Sequence, residues 1–151
     1  KMAQSLSKIY LHIIFSTKNR ENLIPKNLKN DLYSYFGGIL RKLDCTPLQI
    51  GGTSNHMHIL CIKHRTITEA KVVEEIKKST SKWIKTKDYH LNNFYWQNGY
   101  GVFSVCPSIL DNVKNYIIRQ EEHHKKETYK EEYRKFLDRY GIDYDERYIW
   151  D

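Results

Sequence analysis

The stretch His56-Met57-His58-Ile59-Leu60-Cys61-Ile62-Lys63 decides the fold. A short, largely apolar run of this kind reads as a strand. Side chains alternate across a strand, so His56 and His58 share one face while Met57 points the other way, into apolar packing. Immediately before it, Pro47 to Ile50 reads as a shorter strand that turns at Gly51-Gly52, and the two runs predict a hairpin. Two imidazoles one residue apart on a strand face can converge on one metal ion. The same spacing also suits two ordinary sheet residues, and by itself it does not choose between them.

On the N-terminal side, Ile9 to Thr17 (IYLHIIFST) is β-branched and aromatic, with Ile9, Leu11, Ile13 and Phe15 on one face and His12 on the other. After Pro25, Leu28, Leu32, Tyr35, Phe36, Ile39, Leu40 and Leu43 recur at helical spacing, although Gly37 and Gly38 weaken the middle. From Thr68 to about Lys85 a second helix presents Val73, Ile76, Thr80, Trp83 and Ile84 on one side. Lys71, Lys78, Lys82 and Lys85 fall on its opposite side, a stripe that reads as a solvated face able to meet phosphates. A loop rich in Asn and aromatics leads into Val102 to Cys106, a further strand. Ser108 and Asp111 resemble a capping pair that opens a helix through Tyr116 and Gln120. A last helical segment, about 128–141, carries Tyr129, Tyr133, Phe136, Leu137 and Tyr140 on one stripe. This order predicts an α+β fold of the ferredoxin-like, RRM-like split βαβ kind, an antiparallel sheet with helices packed on one face.

A chain of 151 residues, 40% hydrophobic, has the length of a single domain, taken as 1–151, and can bury a core. Its 25 Lys plus Arg outnumber 18 Asp plus Glu, and the resulting +7 suits a polyanionic partner without requiring one. Cys45, Cys61 and Cys106 are odd in number, far apart and free of any CxxC spacing, which argues against a disulfide framework or zinc ribbon and for a reducing cytoplasm. No apolar run approaches the roughly 18 residues of a membrane span, and the N-terminal stretch has no signal-peptide pattern. A soluble, cytoplasmic protein is the expectation.

Tyr116 and Gln120 stand four residues apart on the helix after the last strand and are therefore neighbours on one helical face. Together with SLSKIYLHIIFSTKNR at the start, the His56-Met57-His58 strand, the run from Trp96-Gln97-Asn98-Gly99 to Ser104, and His123-His124, they resemble the single-tyrosine HUH transposases of small bacterial insertion sequences. The resemblance spans nearly the whole chain in order. It implies that His56 and His58 are metal ligands, Gln120 the third protein ligand, and Tyr116 the nucleophile that forms a covalent phosphotyrosine with single-stranded DNA. Mg2+ or Mn2+ is the implied ion, because two imidazoles and one amide oxygen leave positions where a scissile phosphate oxygen can be polarised. The implied partners are single-stranded DNA with end hairpins and a second copy of the chain, a homodimer in which one subunit's tyrosine helix can complete the other's site.

This chain departs from the family pattern at Asn55, where an acidic residue often precedes the first histidine, and that bears on how His56 is oriented. His123 and His124 are further candidate ligands beside Gln120, whereas His12 is assigned to structure. Among twelve tyrosines the nearest rivals to Tyr116 are Tyr129 and Tyr133. They would lie roughly 20 Å away if one helix continued through them. Of the aromatics able to stack on bases, Trp96 and Phe103 are assigned to packing, and Tyr95 and Tyr100 stay open. The alternatives are a non-catalytic single-stranded nucleic-acid binding domain on the same sheet, and a zinc hydrolase built on His56, His58 and His123 or His124.

Overall fold

In the structure, a computed structural model that describes residues 3–151, the run that opens the sequence argument becomes an inner strand of the sheet. Strands β1 (Ile9–Ser16), β2 (Thr46–Gly52), β3 (His56–Lys63) and β4 (Gly101–Ser104) form one four-stranded sheet in the order β2-β3-β1-β4. All pairings are antiparallel, so β1 and β2 run parallel with β3 between them, the split βαβ arrangement. Register then sorts the side chains. Ile14 lies opposite His58 and Ser16 opposite His56, which places His12, Ile14, Ser16, His56, His58 and Leu60 on one face.

The other face receives Leu11, Ile13, Phe15, Met57, Ile59 and Cys61, all buried, beneath α1 (Lys29–Lys42) and α2 (Glu69–Lys85). Both helices form where the apolar period predicts. Thr68 caps α2 by accepting from the Lys71 amide at 3.1 Å, and Val72, Val73, Ile76 and Ile84 point into the core. Burying each such aliphatic side chain contributes about 1.5–3 kcal/mol. Trp96 enters the same core as expected and donates its indole N–H to Thr80 Oγ1 at 3.0 Å, satisfying the one polar atom its burial would strand.

After β4 the chain crosses to the histidine face. Helix α3 (Leu110–Ile118) is followed, after an irregular Arg119, by a short α4 (Gln120–His123), and α5 (Tyr129–Arg139) returns over the sheet. Ile117 packs with Leu60 and Val105, while Tyr129, Tyr133 and Leu137 pack with Ile14 and Phe103. Phe103 is buried, as assigned, whereas Tyr95 and Tyr100 are exposed. Among the described residues no helix is long and apolar enough to cross a membrane.

Some local expectations are corrected. Strand β2 runs on through Gly51 and Gly52, and the turn lies at Thr53 to Asn55, because both glycine positions still pair with β3. Ser108 does not cap α3. It sits in a 3-10 turn opened by Pro107, and its hydroxyl faces Cys106 Sγ. The helical run does not continue from Tyr116 to Tyr129. Thr128 starts α5 afresh by accepting from the Glu131 amide at 3.2 Å, so Tyr129 folds back to within 4.9 Å of His56 between ring centroids and the separation inferred from a continuous helix does not apply.

Gly51 sets how closely α3 approaches the sheet. A Cβ there would lie 2.6 Å from the Ile117 carbonyl oxygen, and backbone cannot rotate away as a side chain can. Gly51→Ala is therefore expected to destabilise the fold by about 1–3 kcal/mol. A urea melt monitored by circular dichroism checks this, and a midpoint equal to that of the unaltered chain would show that α3 is not seated as described.

Candidate metal and nucleophile site

The sheet carries the first half of the site. His56 and His58 are fully buried on β3, and α4 lays Gln120 across them so that Gln120 Oε1 is 2.8 Å from His56 Nε2. Each ring is held from behind. His56 Nδ1 lies 2.8 Å from Asn55 Oδ1 and 2.9 Å from Thr53 Oγ1, so Asn55 and Thr53 orient the ring. His58 Nδ1 lies 2.8 Å from His12 Nε2. His12, assigned to structure from sequence, thus touches a candidate ligand directly. With His58 Nδ1–H donating to His12, the Nε2 lone pair of His58 is free to bind a cation.

The helices carry the second half, and sequence reasoning missed its centre. Glu132 of α5 is 1% exposed and stands among the histidines. Its Oε1 is 2.9 Å from His58 Nε2, 3.1 Å from His124 Nε2 and 3.7 Å from His56 Nε2. Its Oε2 accepts the Tyr116 hydroxyl and, at 3.1 Å, the side-chain N–H of Gln120. Ligand atoms of His56, His58, His124 and Glu132 all fall within 4.8 Å of one another, close enough to share one ion. The signal for Glu132 was its place on the apolar stripe of α5, three residues after Tyr129 and one before Tyr133, where a solvated glutamate is out of place.

Of the remaining candidates, His124 joins the cluster, its ring centroid 4.3 Å from that of His56. His123 turns aside to pair with Glu127. Tyr116 comes close to His58, with ring centroids 5.8 Å apart, and does so within one chain. Tyr129 is also near, 4.9 Å from His56 between centroids, but its hydroxyl points to Gln97 Oε1 at 3.3 Å, away from the histidine nitrogens. A cleft of about 440 Å³ opens beside Tyr116, with Asn112, Lys135 and Arg139 among its walls.

Burial governs the protonation states. Desolvation, reinforced by neighbouring His58, pushes His56 down to about 3, and the same causes hold His12 well below its ordinary value. Burial would raise Glu132, yet its contacts with His58 and His124 outweigh it and hold the carboxyl below its ordinary range. The Tyr116 phenol is pushed up by burial and by the Glu132 charge.

These directions fix a pH dependence for the chain in EDTA. The neutral His56 ring is favoured by the folded state. The stability it contributes is present above the unfolded value of 6.5 and is lost as pH falls below it. Glu132, also depressed, adds a further loss as pH drops below its ordinary 4.5. Thermal midpoints are therefore expected to hold near pH 7 to 8 and to fall steadily between about pH 6.5 and 4. A midpoint that rose on acidification through this window would contradict the neutral assignment of His56.

Comparison with known proteins gives the family and the fold. The family model described as "Transposase IS200 like" matches residues 5–120. A candidate transposase from Deinococcus radiodurans, solved at 1.90 Å, is similar in structure with a TM-score of 0.62 at 18% identity, over 80% of this chain and 96% of that one. A REP-associated tyrosine transposase bound to a REP hairpin is similar with a TM-score of 0.61 at 15% identity, over 82% of this chain and 73% of that one. No curated protein sequence matches. The matched span takes in β1, both histidines of β3, Tyr116 and Gln120, and the chain belongs to the IS200-like transposase family.

Proposed function

We propose that this transposase cleaves and rejoins single-stranded DNA at hairpin-bearing ends, with Tyr116 as nucleophile and a divalent ion, Mg2+ or Mn2+, held by His56, His58 and Gln120. The observation that carries the reading is the meeting of Tyr116, His58 and Gln120 at one buried carboxylate, in a chain whose family moves DNA. The donors suit a cation. Three imidazoles and a carboxylate converge there, and the buried His124 Nε2 has no hydrogen-bond partner among the described residues. When bound, the ion supplies Lewis-acid polarisation of the scissile phosphate.

The chain's own residues supply position. Tyr116 Oη forms the bond to phosphorus as the bond to the 3′ oxygen breaks, and the phenol proton is transferred so that the 3′ oxygen leaves as a hydroxyl. Because the phosphodiester energy is kept in the tyrosine ester, a 3′ hydroxyl can reverse the step without ATP. Lys135 and Arg139 on the adjoining cleft suit the backbone of an incoming strand, and hairpin recognition is carried over from the neighbour bound to a REP hairpin. A homodimer remains part of the proposal. Because Tyr116 comes up to His58 within one chain, cleavage at a single site is not expected to require the second copy.

Tyr116→Phe removes only the hydroxyl, so folding and DNA binding should persist while the denaturant-resistant protein–DNA adduct disappears. Gel electrophoresis with labelled single-stranded hairpin DNA, and peptide mapping of the adduct, test this. An adduct on Tyr129 or Tyr133 would sink the assignment of the nucleophile. His56→Ala and His58→Ala, or EDTA, should abolish cleavage, and Gln120→Ala should reduce it less, with His124 positioned to substitute. Undiminished cleavage in EDTA would remove the ion from the reading.

A further inference from the structure

We propose that Glu132, delivered by α5, is the anionic ligand of the ion held by His56, His58 and Gln120, and that its second oxygen keeps Tyr116 beside that ion. This rests on the transposase reading above and deepens it, because it makes the C-terminal helix a working part of the site. Its two oxygens already divide the task. Oε1 sits where the imidazole Nε2 atoms converge, and Oε2 receives the Tyr116 hydroxyl and the Gln120 amide. Gln120 can present its Oε1, now 2.8 Å from His56 Nε2, to a cation while its N–H stays on Glu132.

Two further observations point the same way. The ion-pair partners of Glu132 among the described residues are imidazoles, with no lysine or arginine to balance a carboxylate that is 1% exposed. A buried charge of this kind is costly unless a cation accompanies it. His124 Nε2, 3.1 Å from Oε1, adds a buried nitrogen to the cluster.

The chemistry of the donors gives the consequence. Two imidazoles and an amide bring no negative charge and suit ions such as Ni2+ or Zn2+, whereas Mg2+ and Mn2+ favour carboxylate oxygen. Glu132 is therefore the residue that tunes this site toward hard ions.

The test is Mn2+ and Ni2+ affinity, measured by calorimetry and by Mn2+ electron paramagnetic resonance on the full chain without DNA. Glu132→Gln keeps the shape and removes the charge, and should weaken Mn2+ binding by about tenfold or more while weakening Ni2+ binding less. Glu132→Asp keeps the charge but withdraws it by one methylene, and should also weaken Mn2+. It carries the test if the glutamine variant does not fold. Folded Glu132→Gln and Glu132→Asp chains that bind Mn2+ as tightly as the unaltered chain would overturn the proposal. Adduct formation by the unaltered chain is scored separately. Its absence, alongside weakened Mn2+ binding in the variants, would remove the transposase mechanism and leave Glu132 a ligand.

Discussion

A strand covered on both faces normally carries apolar side chains on both, and β3 does so on only one. Met57, Ile59 and Cys61 face α1 and α2, while His56 and His58 face α3 and α5 with no exposure at all. Imidazoles sealed in this way must be neutral or paired, and each of their nitrogens needs a partner. That requirement accounts for the layers behind and above them. Asn55, Thr53 and His12 take the Nδ1 atoms, and Gln120 and Glu132 take the Nε2 atoms. The polar face of one strand thus dictates which residues the later helices bring to it.

Those helices can reach the sheet because two glycines clear the way. Gly51 lets the Ile117 backbone settle on β2, which fixes α3 and hence Tyr116. Gly101 lets the Tyr133 ring lie on β4, since a Cβ there would come 2.8 Å from that ring. The run beginning Trp96-Gln97-Asn98-Gly99 then anchors the chain end. Gly99 donates its amide N–H to the Asp151 carbonyl at 2.7 Å, and Arg20 donates to the Trp150 carbonyl at 2.7 Å. Gln97 Oε1 accepts from the Ser16 amide at 2.7 Å and from the Tyr129 hydroxyl, tying β1 to α5. A motif quoted for its family likeness therefore proves to be a structural tie between the sheet and the C-terminal helix.

What the sequence made legible was periodic and local. Alternation in β1 and β3 gave strands and faces, helical spacing gave α1, α2 and α5, and the spacing of Tyr116 and Gln120 put two site residues together. What it hid was set by contacts between distant segments. Glu132 meets His58 across 74 residues and Gln120 meets His56 across 64, and no local pattern encodes such a pairing. One signal was there to be read. Thr128 with Glu131 is a capping pair, joined at 3.1 Å, and it marks a fresh helix start that ends any continuous run from Tyr116. With that break, Tyr129 comes to lie against His56, and Tyr133 stacks on the far side of Tyr129.

Proximity therefore does not single out the nucleophile, and neither does acidity. Burial raises Tyr129 well above the ordinary phenol value and Tyr133 to about 12, and it raises Tyr116 as well, with the Glu132 charge adding to it. None of the three is a pre-ionised nucleophile. What differs is where the hydroxyl points. The Tyr129 hydroxyl is spent on Gln97, whereas that of Tyr116 lies on the same carboxylate that contacts His58 and Gln120, at the edge of a cleft with basic residues on its walls. A phenol that is hard to ionise can still attack if it is held in line and its charge is compensated as it develops, because alignment alone can lower a barrier by about 7–11 kcal/mol. On the proposed function that alignment falls to Tyr116, and the same buried carboxylate that makes its proton harder to lose is what holds its hydroxyl in place.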